Sequence, residues 1–385
     1  MYTITNCNVV FETDVKKRNV VIDGGKIVEI TERDIPADLD GERKFLSAGL
    51  VDIHTHGGYG ADFMDGLSAF DDVMRFHLEH GTTSVVATSV TAPVSALKRF
   101  LENCRTYRKN EQKYATLLGA HLEGPYLSLR NKGAQKEDYI LTPETDDYTF
   151  IEENADIVRS VTISPELKGA AEMTARLRAK GILVSGGHDD GVYPQFMPAI
   201  RAGLSHLTHI YCAMSELRFV DGVRGVGLRE YGLTDGSLTA EMIADNKHIP
   251  PELARLIYQC KGADKLCVVS DSLRPAGLPK DGKLYRLGQA DDETAQLIKV
   301  ADGVATLADG SRFAGSVTPL SKMVKNLIDA GIPIVDAFRM ATKTPAEIIG
   351  EQEIGEIAVG KKADLCLFDG EFSLAQVFKR GEPVK

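Results

Sequence analysis

Two imidazoles stand two residues apart in Val51-Asp52-Ile53-His54-Thr55-His56. Alternate side chains of a β-strand share a face, so His54 and His56 can reach one ion. The spacing recurs in His121-Leu122-Glu123-Gly124-Pro125, where a carboxylate that can ligate or bridge metals joins the imidazole. His188 follows Ser185-Gly186-Gly187, His206 and His209 flank Leu207-Thr208, and Asp271 ends Val268-Val269-Ser270-Asp271. Imidazole nitrogens and carboxylate oxygens suit Zn2+, Fe2+, Co2+ or Mn2+, with zinc the leading choice. His54, His56, Glu123, His188, His209 and Asp271 are therefore read as one metal-dependent site. Other polar residues have plainer expected roles. His206 has the opposite parity and packs, His77 and His80 lie on a solvated helix surface, and Asp189 and Asp190 cap the following helix.

The six residues share a position at the ends of short apolar runs. Candidate strands are 49–53, 84–89, 116–122, 160–163, 182–185, 206–210, 238–243 and 266–270. Helical patterns over 70–80, 94–107, 170–180 and 251–260 separate several of them, and Gly81, Gly181, Gly203 and Gly262 sit where helix C-caps belong. Eight strands alternating with helices predict an α/β fold, a (β/α)8 TIM barrel over 49–349, whose sites lie at the C-terminal strand ends. A doubly wound sheet competes, but no G-x-G-x-x-G follows the first strand. A Gly- and Asp-rich, β-flavoured insertion at 274–312 precedes the closing helices at 318–330 and 335–341. Residues 1–48 and 350–385 also have a β texture, with a hairpin signal at Gly24-Gly25. Neither end can bury its strands alone, so both are expected to join in one small β-sandwich.

Bulk properties narrow the partners. The 385 residues carry 45 Lys plus Arg against 55 Asp plus Glu, a net charge of −10. That balance argues against a nucleic-acid binder, which needs a basic face. No apolar run approaches a membrane span. The N-terminus lacks the basic and apolar regions of a signal peptide. Six cysteines (7, 104, 212, 260, 267 and 366) form no C-x-x-C pair. Reduced thiols and a cytoplasmic enzyme are expected.

Longer stretches carry a resemblance. They are His121-Leu122-Glu123-Gly124-Pro125 with Lys132-Gly133-Ala134-Gln135, then Thr208-His209-Ile210-Tyr211-Cys212-Ala213-Met214-Ser215, then Ala240-Glu241-Met242-Ile243-Ala244-Asp245-Asn246-Lys247-His248, and Phe313-Ala314-Gly315-Ser316. With them the chain resembles the amidohydrolase superfamily and, within it, the N-acetylglucosamine-6-phosphate deacetylases. The resemblance implies hydrolysis of N-acetylglucosamine 6-phosphate to glucosamine 6-phosphate and acetate. It implies Glu123, His188 and His209 as metal ligands, with His54 and His56 permitting a second ion, so one or two per subunit. It implies Asp271 as general base and acid. The amino-sugar substrate would meet Ala134, Gln135, Cys212, Ala213, His248, Phe313, Ala314 and Gly315, in a homodimer or homotetramer.

The chain also departs from that pattern. The family usually has Asn where Cys212 stands, and an Arg-Glu-Pro-Gly run after the Met-Ser. Here the run reads Glu216-Leu217-Arg218-Phe219-Val220-Asp221-Gly222-Val223-Arg224-Gly225. Arg218 or Arg224, from the same or a neighbouring subunit, is expected to take over the phosphate. The alternative is an amidohydrolase acting on another N-acyl or cyclic amide without the 6-phosphate. Hydantoinase-type relatives bridge their metals with a carboxylated Lys after strand four, and 160–166 has none. A non-catalytic scaffold would have lost ligands, and none is lost.

Overall fold

The computed structural model describes residues 1–279 and 282–384. Lys280 and Asp281 of the expected insertion, and Lys385 at the expected C-terminal segment's end, lie outside the described residues. Eight parallel strands form one sheet in chain order: Leu50–Thr55, Thr82–Ser89, Thr116–Glu123, Val158–Ile163, Leu183–Gly186, His206–Leu207, Thr239–Met242 and Leu266–Val268. The first and last are drawn together where Asp271 N donates to His54 O at 2.9 Å. Ser270 N adds a bond to Asp52 Oδ1 at 3.2 Å. The result is a nearly closed (β/α)8 barrel, as the alternation predicted.

Each helix presents one apolar face to this sheet. Val73, Met74 and Phe76 of Phe70–Glu79 are buried, as are Leu97, Phe100 and Leu101 of Val94–Lys109. The helices Ala170–Ala179, Pro251–Lys261, Leu320–Asp329 and Ile334–Ala341 fall within a few residues of their expected spans. Gly81, Gly181, Gly203 and Gly262 all hold positive φ at helix ends, where a side chain would be strained.

Strands six and eight are shorter than expected. The sixth stops at Leu207 and the eighth at Val268. Within the expected sixth strand His209 holds φ 27°, which no extended strand permits, and Asp271, just past the expected eighth, holds φ 44°.

The strands from both chain ends form one hydrogen-bonded sheet, joined where Phe45–Ala48 pairs antiparallel with Leu365–Phe368. Ile4, Val20, Ile27, Leu46, Leu365 and Phe378 fill its own apolar cluster. The hairpin at Gly24-Gly25 is present between Val15–Asp23 and Lys26–Thr31. The insertion carries a four-stranded antiparallel sheet made of Leu284–Arg286, Leu297–Ala301, Val304–Leu307 and Phe313–Gly315. Ser316 N then bonds Asp271 O at 2.8 Å, so this sheet is tied to the end of the eighth barrel strand. Among the described residues, no helix is long and apolar enough to cross a membrane.

Candidate active site

The barrel's C-terminal strand ends deliver the side chains. His54 lies within strand one and His56 just past it, Glu123 ends strand three, and His188, His209 and Asp271 follow strands five, six and eight. His188, His209, Tyr211, Ala213 and Asp271 all hold positive φ between 27° and 74°. Such conformations cost energy for residues with a Cβ and persist where surrounding structure over-determines them.

Glu123 is the hub. Its Oε1 lies 2.9 Å from His188 Nε2, 3.0 Å from His209 Nε2 and 3.6 Å from His54 Nε2. Its Oε2 accepts from Gln135 Nε2 at 2.5 Å and stands 3.5 Å from His56 Nε2. Gln135 Oε1 accepts from Thr91 N at 2.7 Å, which fixes the amide's orientation and hence the donor aimed at Glu123. Asp271 Oδ1 is 3.2 Å from His56 Nε2 and 3.7 Å from His54 Nε2. Two groups of ligand atoms thus converge: His54, Glu123 and His209, and His54, His56 and Asp271.

The protons decide what these atoms can hold. His188 Nδ1 faces the carbonyl oxygen of Asn131 at 3.0 Å, and a carbonyl only accepts, so Nδ1 carries the hydrogen. In the neutral ring, Nε2 then offers a lone pair toward Glu123. His54 repeats the arrangement: Nδ1 donates to Glu241 Oε2 at 2.9 Å, leaving Nε2 toward two carboxylates and without a hydrogen-bond partner. His209 Nδ1 and His56 Nδ1 are likewise buried and unpartnered. Lone pairs facing carboxylate oxygens repel unless positive charge lies between them. Burial acts to lower His54, yet Glu241, Glu123 and Asp271 hold it up to about 10. Burial acts to raise Glu123, yet His188, His209 and His54 draw it well below the usual carboxylate range. The donor set and its charge demand fit a divalent cation.

A layer of polar residues fixes these rings. Glu241 accepts from His54, from His206 Nε2 at 3.2 Å and from His209 N at 3.1 Å. His206 is not turned away from the site as its parity predicted: its Nε2 meets Glu241 on the inner side of the barrel, the side on which Thr208 meets Thr162 and Ser185, and it orients Glu241. His121 belongs to this layer, its Nε2 against Thr162 Oγ1 at 2.7 Å and its ring edge-on to His54. Two further expectations are corrected. His77 is not on the surface: it is 2% exposed, with Nε2 at 2.9 Å from Thr55 Oγ1, because the face of its helix that carries Val73, Met74 and Phe76 is turned to the barrel. Asp189 and Asp190 do not cap a helix: Asp189 accepts from Ser215 N at 3.0 Å and from the Ser215 hydroxyl, and Asp190 pairs with Arg218 at 2.7 Å.

A cavity of about 270 Å³ opens onto the ligand cluster. His56, Glu123, His188, His209 and Asp271 line it together with Ala134, Gln135, Cys212, Ala213, His248, Phe313, Ala314 and Gly315. His54 does not line it and faces the cluster from behind. His248 Nδ1 bonds Asp245 Oδ2 at 2.8 Å, and Ser316 Oγ shares that oxygen at 2.9 Å. Burial pushes the Cys212 thiol up, with Asp271 and Asp245 adding to the effect, so it stays a neutral, weak donor.

Arg218 and Arg224 are the exception among the expected substrate residues. Both lie on the hairpin Arg218–Val220 and Val223–Gly225, and neither lines the cavity. Arg218 is committed to Asp190, and Arg224 is exposed. Sequence reading missed Arg312, Tyr211 and Leu287, which do line it. Arg312 and Leu287 arrive on the insertion, whose β pairing carries no mark of which residues turn inward. Glu241 was missed as a support, although its alternation with buried Ala240 and Met242 was legible.

Comparison with known proteins agrees with this geometry. The Amidohydrolase family profile matches residues 45–384. N-acetylglucosamine-6-phosphate deacetylase of Bacillus subtilis (strain 168) is 33% identical, covering 98% of this chain and 96% of its own length. The crystal structure of N-acetylglucosamine-6-phosphate deacetylase from Pasteurella multocida superposes with a TM-score of 0.89 at 31% identity, covering 100% of this chain and 99% of that one. A mutant of the Mycobacterium smegmatis N-acetyl-D-glucosamine-6-phosphate deacetylase, in complex with N-acetyl-D-glucosamine-6-phosphate, matches with a TM-score of 0.88 at 28% identity, covering 99% and 98%. With the barrel, the ligand cluster and these relatives in agreement, the chain belongs to the amidohydrolase family, in its N-acetylglucosamine-6-phosphate deacetylase branch.

Proposed function

We propose that this chain hydrolyses the acetamide of N-acetylglucosamine 6-phosphate, giving acetate and glucosamine 6-phosphate. The observation that carries the reading is the convergence of Glu123, His188 and His209 beside Asp271 in one cavity. Glu123, His188 and His209 would hold one divalent ion, and His54 and His56 a second where two are bound. Zinc is the first choice for this nitrogen and oxygen donor set, with Fe2+, Co2+ and Mn2+ as alternatives. Such an ion supplies Lewis acidity, lowering the pKa of water to about 7 and polarising a carbonyl oxygen.

The chain's own residues do the rest. Asp271 Oδ1 takes the proton of the attacking water as its oxygen bonds to the acetyl carbon. The tetrahedral centre collapses by breaking the carbon–nitrogen bond. An amine cannot leave as an anion, so Asp271 returns the proton to nitrogen in that step. Gln135 keeps Glu123 Oε1 directed at the imidazoles by holding Oε2. His248, with Nδ1 fixed by Asp245, presents Nε2 to the sugar.

A homodimer or homotetramer in the cytoplasm is the setting proposed. Phe219 and Val223 stand 74% and 65% exposed on their hairpin, and a second subunit would cover them. All six cysteines are free, which suits a reducing compartment. The test is a panel of N-acetyl sugars, their 6-phosphates and N-acyl amino acids, with released acetate and amine measured. Turnover of N-acetylglucosamine 6-phosphate above all others supports the reading. Hydrolysis confined to N-acyl amino acids overturns it.

A further inference from the structure

A dianionic phosphate in the cavity needs a strong cationic donor, and a guanidinium is the usual one. The arginines of the hairpin do not line the cavity. Arg218 Nη1 lies 2.7 Å from Asp190 Oδ1 and would have to abandon that ion pair, and Arg224 is exposed. Lys132 is paired with Glu137 at 2.9 Å. Arg312 differs from all of these. It lines the cavity while exposed to solvent, and among the described residues its side chain has no hydrogen bond or ion pair. No existing contact has to break before it meets a ligand.

Its backbone is nevertheless held. Leu307 N donates to Arg312 O at 3.0 Å, and Arg312 leads directly into the strand Phe313–Gly315. The Phe313 ring packs on the His248 ring with centroids 4.6 Å apart. Ser316 and His248 share Asp245, so one end of this strand packs on His248 and the other bonds the carboxylate that orients it. A free guanidinium and an oriented imidazole thus arrive on neighbouring parts of one wall.

We propose that Arg312 is the residue that selects the 6-phosphate, supplied by the same chain that supplies the metal ligands. The inference rests on the deacetylase reading above and names its specificity determinant. It makes phosphate discrimination independent of any residue from a second copy.

The experiment compares kcat/KM for N-acetylglucosamine 6-phosphate and for N-acetylglucosamine in the wild type and in Arg312→Ala, Arg312→Lys, Arg218→Ala and Arg224→Ala, with metal content measured for each. The expected wild-type ratio is at least tenfold in favour of the phosphorylated sugar. Arg312→Ala lowers that ratio at least tenfold through KM, at unchanged metal content, and Arg312→Lys recovers part of it. Competitive inhibition by inorganic phosphate weakens in parallel. A wild-type ratio retained in Arg312→Ala, or a ratio lost in Arg218→Ala or Arg224→Ala instead, overturns the assignment while leaving the deacetylase reading intact. A wild-type ratio near one rejects the phosphate part of that reading, and this inference with it.

Discussion

His54 Nδ1 lies 2.9 Å from Glu241 Oε2, so a carboxylate that does not line the cavity decides which nitrogen of His54 faces Glu123 and Asp271. The same oxygen accepts the backbone N–H of His209 at 3.1 Å. One side chain therefore fixes a ring on strand one and a turn after strand six. Carboxylates that orient metal-binding imidazoles in this way are energetically part of the site.

Glu241→Gln should weaken metal retention by about 10- to 100-fold, the usual effect of losing such a partner. A Gln can present its NH2 group to Nδ1 and reverse the tautomer of His54. Competition with a chelator, followed by metal analysis, measures the loss. Retention equal to wild type would show that Glu241 only fills space.

Asp271→Asn should keep metal content close to wild type and reduce turnover at least about 100-fold, the scale of a lost general acid–base. The side chain keeps its size, so the cavity is preserved. Full activity in this variant would remove Asp271 from the proton transfers.

Glu123→Gln should behave differently, lowering metal content and turnover together, because a neutral amide oxygen is a poorer ligand for a divalent cation. The contrast with Asp271→Asn separates binding from chemistry. Metal content and rate both equal to wild type would exclude Glu123 as a ligand.

The barrel and its ligand cluster were legible because both rest on periodicity. Apolar runs at regular intervals mark the strands, and parity along them places His54 with His56 and Asp271 at the open end. Parity misplaced His206, which faces Glu241 inside the barrel, because His209 reaches the cluster from a turn past the strand end and not from the strand itself. The surface expectation for His77 failed because the apolar stripe of a helix is wide enough to take in a histidine satisfied by Thr55. The phosphate-side residues were the least legible. Arg218 was chosen for its nearness in sequence to the Met-Ser run, but an ion pair with Asp190 claims it. Arg312 comes from a sheet about a hundred residues further along, and no local pattern announces a contact of that kind.

Gly315→Ala should impair turnover through Asp271 without touching any ligand. Gly315 has φ +143°, and a Cβ there would stand 2.8 Å from Asp271 O and 2.9 Å from Leu273 Cγ. Relief requires the eighth strand end to move, and the Ser316 N to Asp271 O bond of 2.8 Å moves with it. Displacements near 1 Å at a reacting group can cost about 100-fold. A kcat reduced at least about tenfold, with metal content retained, is expected. Unchanged kcat would mean that the backbone absorbs the methyl group locally.

His77 supplies a prediction about acid stability. Burial holds it down to about 3, with His80 adding to the effect, and its Nε2 contacts Thr55 Oγ1 at 2.9 Å. Between about pH 3 and the ordinary histidine value near 6.5, the unfolded chain binds a proton here that the folded chain refuses. The folded state therefore has this contribution in full above about 6.5 and loses it as pH falls toward 3. Each pH unit in that window is worth about 1.4 kcal/mol. His77→Gln keeps a partner for Thr55 and cannot titrate. Unfolding by urea at pH 6.5 and at pH 4.5 should show the wild type losing roughly 2 to 3 kcal/mol relative to His77→Gln across those two units. Every other titrating group is common to both proteins and cancels in the difference. If the difference in stability between the two proteins is the same at both pH values, His77 is not held neutral by the fold.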